Sequence, residues 1–236
     1  MAANNVLKTV VLATVMGGIL GLELYYFNDR GRAEPIRFML HYAGINFTDY
    51  RFSRDDWNAS KNSIMFNTLP ALVQDMGIVD NSGAITRYVA HEASLLTPSY
   101  LEDAQMDDLF EKSQVLMQDF LTYIDIVEGR TPGNATASRP TLIDAPVKMY
   151  YPVIESYINP DTGLFGRYSI IYMDFVWYNL SDLLNSYAPD VLSNYTKSIQ
   201  HWWKVDGYNN TNFQSYLQNR YVDFGRNGTI MITNVF

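Results

Sequence analysis

Between Leu22 and Asp29 the residues Leu, Tyr and Phe crowd together without strict alternation (LELYYFND), the pattern of a buried strand. The turn DRGR follows, and Ala33-Glu34-Pro35 opens a helix. A proline in the first turn gives up an N–H that has no helical partner, and Ile36, Leu40 and Ala43 then form an apolar stripe. AGINFTDYRF supplies a turn and a second strand. Leu69-Pro70-Ala71-Leu72-Val73 reads as a third strand, with Met76 to Val79 as its hairpin partner. Ser82 is the expected cap of a helix through GAITRYVAHEA, whose Ile85, Tyr88 and Val89 share a face. The order β-α-β and then β-β-α defines an α/β unit of small-domain size.

Beyond the loop LLTPS at 95–99 the pattern changes. Residues 101–128, 141–158, 170–187 and 189–204 carry helical periodicity, with a short helix near 212–220 and no convincing strand. GRTPGNATASRP, residues 129–140, reads as a flexible connection. The predicted organisation is an N-terminal extension at 1–20, an α/β domain at 21–95, an all-helical domain at 99–221 and a tail at 222–236 with no assigned role.

The extension holds Lys8 followed by TVVLATVMGGILGL, an apolar run of signal-peptide length and too short to span a bilayer. Val15 and Gly17 would precede a cut near Gly18. The same run also reads as a buried first strand or helix, or as an uncleaved anchor of a lumenal protein. Sequons begin at Asn46, Asn58, Asn134, Asn179, Asn194, Asn209 and Asn227, where composition alone gives about two or three. That excess favours a secreted glycoprotein, with no stable membrane insertion once a signal is removed.

Charge and chemistry narrow the function. A formal net charge of -8 argues against a nucleic-acid partner, because a phosphate backbone demands a basic surface. With no cysteine there is neither a disulfide framework nor a thiol nucleophile. His41, His91 and His201 lack ligand spacing, so no metal is expected. Tyrosine, serine or carboxylates must carry any chemistry.

YYFNDRGRAEPIRFMLHYAG, DWNASK, MFNTLPAL and NSGAITRYVA resemble the glutathione transferases of cytosolic type. The resemblance is nearest to the sigma class, which includes nematode and arthropod enzymes and the haematopoietic prostaglandin D synthase. It runs ungapped from residue 22 to about residue 90, and GLFGRYSIIYMDFVW extends it into the helical half. It implies a thioredoxin-like α/β domain joined to an all-α domain, a homodimer, glutathione as co-substrate and a small-molecule electrophile.

Residue by residue, the resemblance makes Tyr26 the hydroxyl that donates to the glutathione sulfur. Such a bond favours thiolate over thiol. Tyr25 should point to the opposite face and pack in the core. Arg32 would brace the tyrosine, or else serve as a capping or surface cation. Trp57 and Lys61, at i and i+4, would converge on the glycine carboxylate, with a glycan at Asn58 projecting beside them. Leu69-Pro70 matches a cis dipeptide whose leucine offers its backbone to the cysteinyl part. Asn81 and Ser82 stand where the family uses Gln-Ser at a helix N-terminus to hold the γ-glutamyl carboxylate. Phe27, Asp29, Gly31 and Met117 would line the second-substrate pocket.

Departures from the family pattern accompany these matches. Asn81 is one methylene short, Thr68 replaces a Lys or Gln, and the partner's acidic residue falls on Gln114 or Val115, with Glu111 as a substitute. A lost charge-assisted hydrogen bond costs ~1.5–3 kcal/mol, enough to weaken glutathione binding. Phe66 lies where many relatives insert an aromatic ring into the partner subunit. Ile171-Tyr-Met-Asp174 lacks the family's hydroxyl cap, which Ser169 would replace. The expected function is conjugation of glutathione to electrophiles or reduction of lipid hydroperoxides. The alternatives are a non-catalytic secreted relative acting as a binding or host-interaction module, and a prostaglandin D isomerase.

Overall fold

The computed structural model describes residues 21–75, 77–220 and 231–235. The described residues group into two compact units. One holds the described residues up to Val89 and those from Ser215 onward, and the other holds Ala90–Gln214. The described residues from Ser215 on therefore group with the first unit. The apolar run at 1–20 and the sequon at Asn227 lie outside the described residues.

The first unit contains a five-stranded sheet in the order β4-β3-β1-β2-β5, formed by β1 (Leu22–Phe27), β2 (Phe47–Phe52), β3 (Ala71–Gln74), β4 (Gly77–Val79) and β5 (Met231–Val235). β1 and β2 are parallel, as the intervening helix α1 (Glu34–Ala43) requires, and the other pairings are antiparallel. Register sets Tyr25 opposite Tyr50, and their rings stack at 4.4 Å. Tyr25 is 2 % exposed and donates its hydroxyl to Glu23 Oε2 at 2.7 Å, so it is the packing tyrosine of the pair. The tail expected to have no role supplies β5, which pairs with β2 from Phe47 to Arg51 and covers a sheet edge that would otherwise present unpaired backbone groups.

Phe66 is 3 % exposed, packed against Tyr25 and stacked on Trp57 at 6.3 Å. It belongs to the core of its own unit. The expectation of a ring offered to a partner subunit is corrected: its apolar surface is already used within the chain.

Helix α1 is buried on nearly every side, and a charge network makes that tolerable. Arg37, fully buried, pairs with Asp49 Oδ2 at 3.0 Å and Glu34 Oε2 at 3.2 Å, and it donates to the Asp29 carbonyl at 2.9 Å. Arg51 shares Asp49 at 2.7 Å, and the Tyr216 hydroxyl donates to Glu34 at 3.1 Å. Every charge in the cluster has an opposite partner, without which burial would cost several kcal/mol per ion (order of magnitude). Tyr216 lies on α10 (Thr211–Asn219), so the network ties the end of the helical sequence to the first helix.

After α2 (Arg54–Ser60) and α3 (Ser82–Glu92), the second unit is helical among its described residues. It comprises α4 (Tyr100–Val127), α5 (Ala135–Arg139), α6 (Ala145–Glu155), α7 (Tyr172–Tyr187), α8 (Pro189–Leu192) and α9 (Thr196–Asp206). Two expectations change. The flexible connection at 129–140 contains α5, capped by Asn134 Oδ1 accepting from Ala137 N. The single helix expected at 189–204 is two, α8 and α9.

Helix α7 is the unit's core, with Tyr172, Trp177 and Tyr178 fully buried. Their polar atoms find partners in Asp107, Ser198 and Asp206. At its start Asp174 accepts from Ile171 N at 2.8 Å, Phe165 N at 2.7 Å and His201 Nε2 at 2.9 Å. Asp174 closes the helix start, in place of the cap expected from Ser169. Asn179 lies in the middle of α7 at 0 % exposure. Its sequon is corrected: no glycan fits there in the folded chain. Asn46, Asn58, Asn134, Asn194 and Asn209 are exposed.

Candidate active site

Tyr26 stands near the end of β1, 4 % exposed, with its hydroxyl turned toward the turn that begins α1. The backbone N–H of Arg32 donates to that hydroxyl at 3.1 Å. Arg32 therefore contacts the tyrosine hydroxyl through its main chain. An acceptor bond at the oxygen leaves the phenolic hydrogen to be donated elsewhere. Burial first, and the Asp29 carboxylate next, push the phenol well above the usual tyrosine range. The Arg32 N–H and the cations of Arg54 and Arg32 pull downward without reversing this. At neutral pH Tyr26 is a proton donor.

Gly31 makes this approach feasible. Its φ is +38°, and a Cβ there would stand 2.6 Å from the Tyr26 hydroxyl and 2.8 Å from Asp29 Oδ1. Only a residue without a side chain lets hydroxyl and carboxylate close on the turn.

Asp29 is 6 % exposed, and its Oδ2 accepts from Arg54 Nη2 at 2.9 Å. The Arg54 guanidinium lies 3.6 Å from the centroid of the Phe27 ring, a cation–π contact. Arg54 opens α2, where Ser53 caps by accepting from Asp56 N at 3.0 Å and donating to Asp56 Oδ2 at 2.7 Å. On the same helix Trp57 meets Phe27 edge-on at 6.4 Å and is half-buried, with its ring fixed by the core. Lys61 follows as the exposed residue closing the helix, its backbone N–H bonded to Trp57 O. Its Nζ donates to Asn58 Oδ1 at 3.4 Å, so a glycan at that sequon would begin beside the ammonium.

The Leu69–Pro70 bond is cis, as the resemblance implies. Thr68 Oγ1 donates to the Asp80 carbonyl at 2.6 Å, tying the loop before the proline to the segment that enters α3. At that helix start the cap is Asn81: its Oδ1 accepts from Gly83 N at 3.0 Å and Ala84 N at 3.2 Å. Ser82 is the first helical residue, so the expectation of Ser82 as cap is corrected. The shorter side chain of Asn suits a cap better than Gln would. In taking that role it occupies two of the N–H groups that a helix terminus offers to an anion.

Tyr26, Arg32, Trp57, Lys61, Leu69, Pro70, Asn81 and Ser82 all belong to the first unit, as do Phe27, Asp29 and Gly31. Met117 belongs to the second, buried on α4. On that helix Glu111 and Val115 are exposed and Gln114 is half-buried. Arg37 and Arg54 were not anticipated. Arg37 is visible in retrospect as the i+3 partner of Glu34 within AEPIRF, and its Cζ lies 5.9 Å from the Tyr26 ring centroid. Nothing in the sequence pairs Arg54 with Asp29, 25 residues earlier.

The sequence profile of the glutathione S-transferase N-terminal domain matches residues 22–91. The haematopoietic prostaglandin D synthase of Gallus gallus is 30% identical over 177 residues, 75% of this chain and 86% of that protein. Glutathione S-transferase 1 of Ascaris suum is 28% identical over 184 residues, covering 76% and 89%. Among solved structures, monomeric Na-GST-3 of Necator americanus superposes with a TM-score of 0.77 at 20% identity, covering 86% of this chain and 99% of that one. The chain belongs to the glutathione S-transferase family. The expected thioredoxin-like domain followed by a helical domain is the observed fold, and the expectation of a glutathione transferase is met at the level of the family.

Proposed function

We propose that this protein conjugates glutathione to small electrophiles or reduces lipid hydroperoxides, with Tyr26 stabilising the sulfur as thiolate. The observation that carries this is the buried Tyr26 hydroxyl, which accepts from Arg32 N and is held protonated, so that its hydrogen is available to a thiolate. In conjugation the thiol proton passes to solvent, sulfur bonds to the electrophilic carbon as its leaving group departs or its π pair shifts, and the phenol hydrogen bond offsets the charge on sulfur before attack. In hydroperoxide reduction the thiolate attacks the terminal oxygen, the O–O bond breaks, water protonates the alkoxide, and a second glutathione displaces water from the sulfenic acid to give the disulfide. Trp57 and Lys61 would hold the glycine carboxylate, the Leu69 backbone the cysteinyl part, and Ser82 with the start of α3 the γ-glutamyl carboxylate. Because Asn81 caps that helix, we expect weaker glutathione binding than a Gln at this position would give.

We further propose that the protein is secreted and glycosylated, on the strength of five exposed sequons and the apolar N-terminal run, and that it works as a homodimer of sigma-class type. Titration with glutathione followed by a conjugation assay on a generic electrophile tests the catalytic reading. Binding and turnover support it; absence of both leaves the fold serving as a binding module. Mass spectrometry of secreted material for the N-terminus and glycans tests localisation, and sedimentation tests the dimer.

A further inference from the structure

Asp29 is held through both its main chain and its side chain. Its carbonyl accepts from the buried Arg37 at 2.9 Å and its carboxylate from Arg54 at 2.9 Å. The second carboxylate oxygen and the Tyr26 hydroxyl both lie within 2.8 Å of the point where a Cβ on Gly31 would stand. A buried anion thus shares the cradle of the group whose task is to stabilise another anion. The charged groups on the elements packed against Tyr26 are Asp29 in the turn, Arg32 in the short 3₁₀ turn at Gly31–Ala33, Glu34 and Arg37 on α1, Asp49 and Arg51 on β2 and Arg54 on α2. Of the anions, Glu34 and Asp49 are each paired with the buried Arg37, and Asp29 is the one whose carboxylate lies beside the hydroxyl. Its carboxylate is 6 % exposed, whereas the Arg54 side chain is 39 % exposed. Water therefore screens Arg54 more than Asp29.

Like charge near an ionising group favours its neutral form, and an adjacent cation partly cancels that effect. We propose that Asp29, held and partly neutralised by Arg54, is a positioning residue that restrains ionisation of the glutathione thiol at Tyr26. The pair sets the pH range in which the enzyme works. This rests on the glutathione transferase reading above. It leaves a larger share of the bound thiol protonated at neutral pH.

The test is the pKa of the bound thiol, read from thiolate absorbance of the glutathione complex and from the pH profile of kcat/KM. It is made on the full-length wild type, Asp29→Asn and Arg54→Gln. Asp29→Asn keeps the shape and an acceptor for Arg54, and it should lower the bound-thiol pKa by about one unit. Turnover then rises about tenfold on the acid limb of the profile with no gain on the alkaline plateau. Arg54→Gln should move the pKa the other way by a similar amount. A purely structural role would change thermal stability or glutathione affinity and leave the pKa in place. An unchanged or raised pKa in Asp29→Asn overturns the proposal. Should that variant not fold, a pKa in Arg54→Gln equal to or below wild type overturns it instead. Wild-type protein that binds no glutathione removes the functional reading itself, an outcome distinct from binding with unshifted pKa.

Discussion

Replacing Gly31 by alanine tests the geometry of the site at its tightest point. The backbone φ of +38° costs an L-residue ~1–2 kcal/mol. The added methyl would lie 2.6 Å from the Tyr26 hydroxyl and 2.8 Å from Asp29 Oδ1, well inside ordinary contact. Both atoms end side chains, so they can retreat, but each retreat breaks something: the Arg32 N–H bond at 3.1 Å for the hydroxyl, the Arg54 pair at 2.9 Å for the carboxylate. Adding ~1 kcal/mol for a weakened buried hydrogen bond gives about 2–3 kcal/mol in all. For a chain of this size that corresponds to a fall in Tm on the order of 5–10 °C. Displacing the hydroxyl by several tenths of an ångström should also lower kcat/KM about a hundredfold, as loss of one donor at an anion does. Glutathione affinity should change little, because the contacts assigned to its carboxylates lie on α2 and α3. Thermal unfolding, calorimetric titration and the conjugation assay report the three quantities. Wild-type kcat/KM in Gly31→Ala would refute the cradle.

Other perturbations separate structural from binding roles. Gly166→Ala would place a Cβ 1.8 Å from the Ser169 carbonyl oxygen, a backbone atom that cannot rotate away. We expect at least ~3 kcal/mol of destabilisation in chemical unfolding, or failure to fold. Lys61→Ala should weaken glutathione binding about tenfold in calorimetry with kcat and Tm unchanged, since the residue is exposed and its proposed role is to meet a carboxylate. His41 stacks on Tyr216 at 4.0 Å, and burial lowers its pKa to about 4. The unfolded chain takes up that proton near pH 6.5 and the folded chain only near 4. The histidine therefore removes stability as pH falls through this window, at ~1.4 kcal/mol per pH unit. His41→Gln should flatten the stability profile there, and equal slopes in both proteins would count against the burial argument.

The sequence carried the local elements well because their signals are local. Pro35 marks the start of α1, and the crowded Leu-Tyr-Phe run marks β1. The cis Leu69–Pro70 bond that the resemblance implies is present for the same reason, since the motif around it is contiguous. What could not be read depends on long-range contact. Arg54 reaches Asp29, Tyr216 reaches Glu34, and residues 231–235 reach β2, and none of these pairs leaves a spacing in the sequence. Asn81 and Ser82 show a subtler limit. Both residues favour helix caps, and only the backbone decides which is the cap and which begins the helix. Phe66 and Asn179 failed as interface ring and glycan site because burial is a property of the whole fold.

The central claim is that the Tyr26 hydroxyl donates to the sulfur of glutathione. Its most direct test is the pKa of the thiol in the glutathione complexes of wild type and Tyr26→Phe. Loss of the hydroxyl should raise that pKa and cut kcat/KM at neutral pH by about a hundredfold, with glutathione still bound. A Tyr26→Phe complex with wild-type thiol pKa and wild-type turnover would contradict the account.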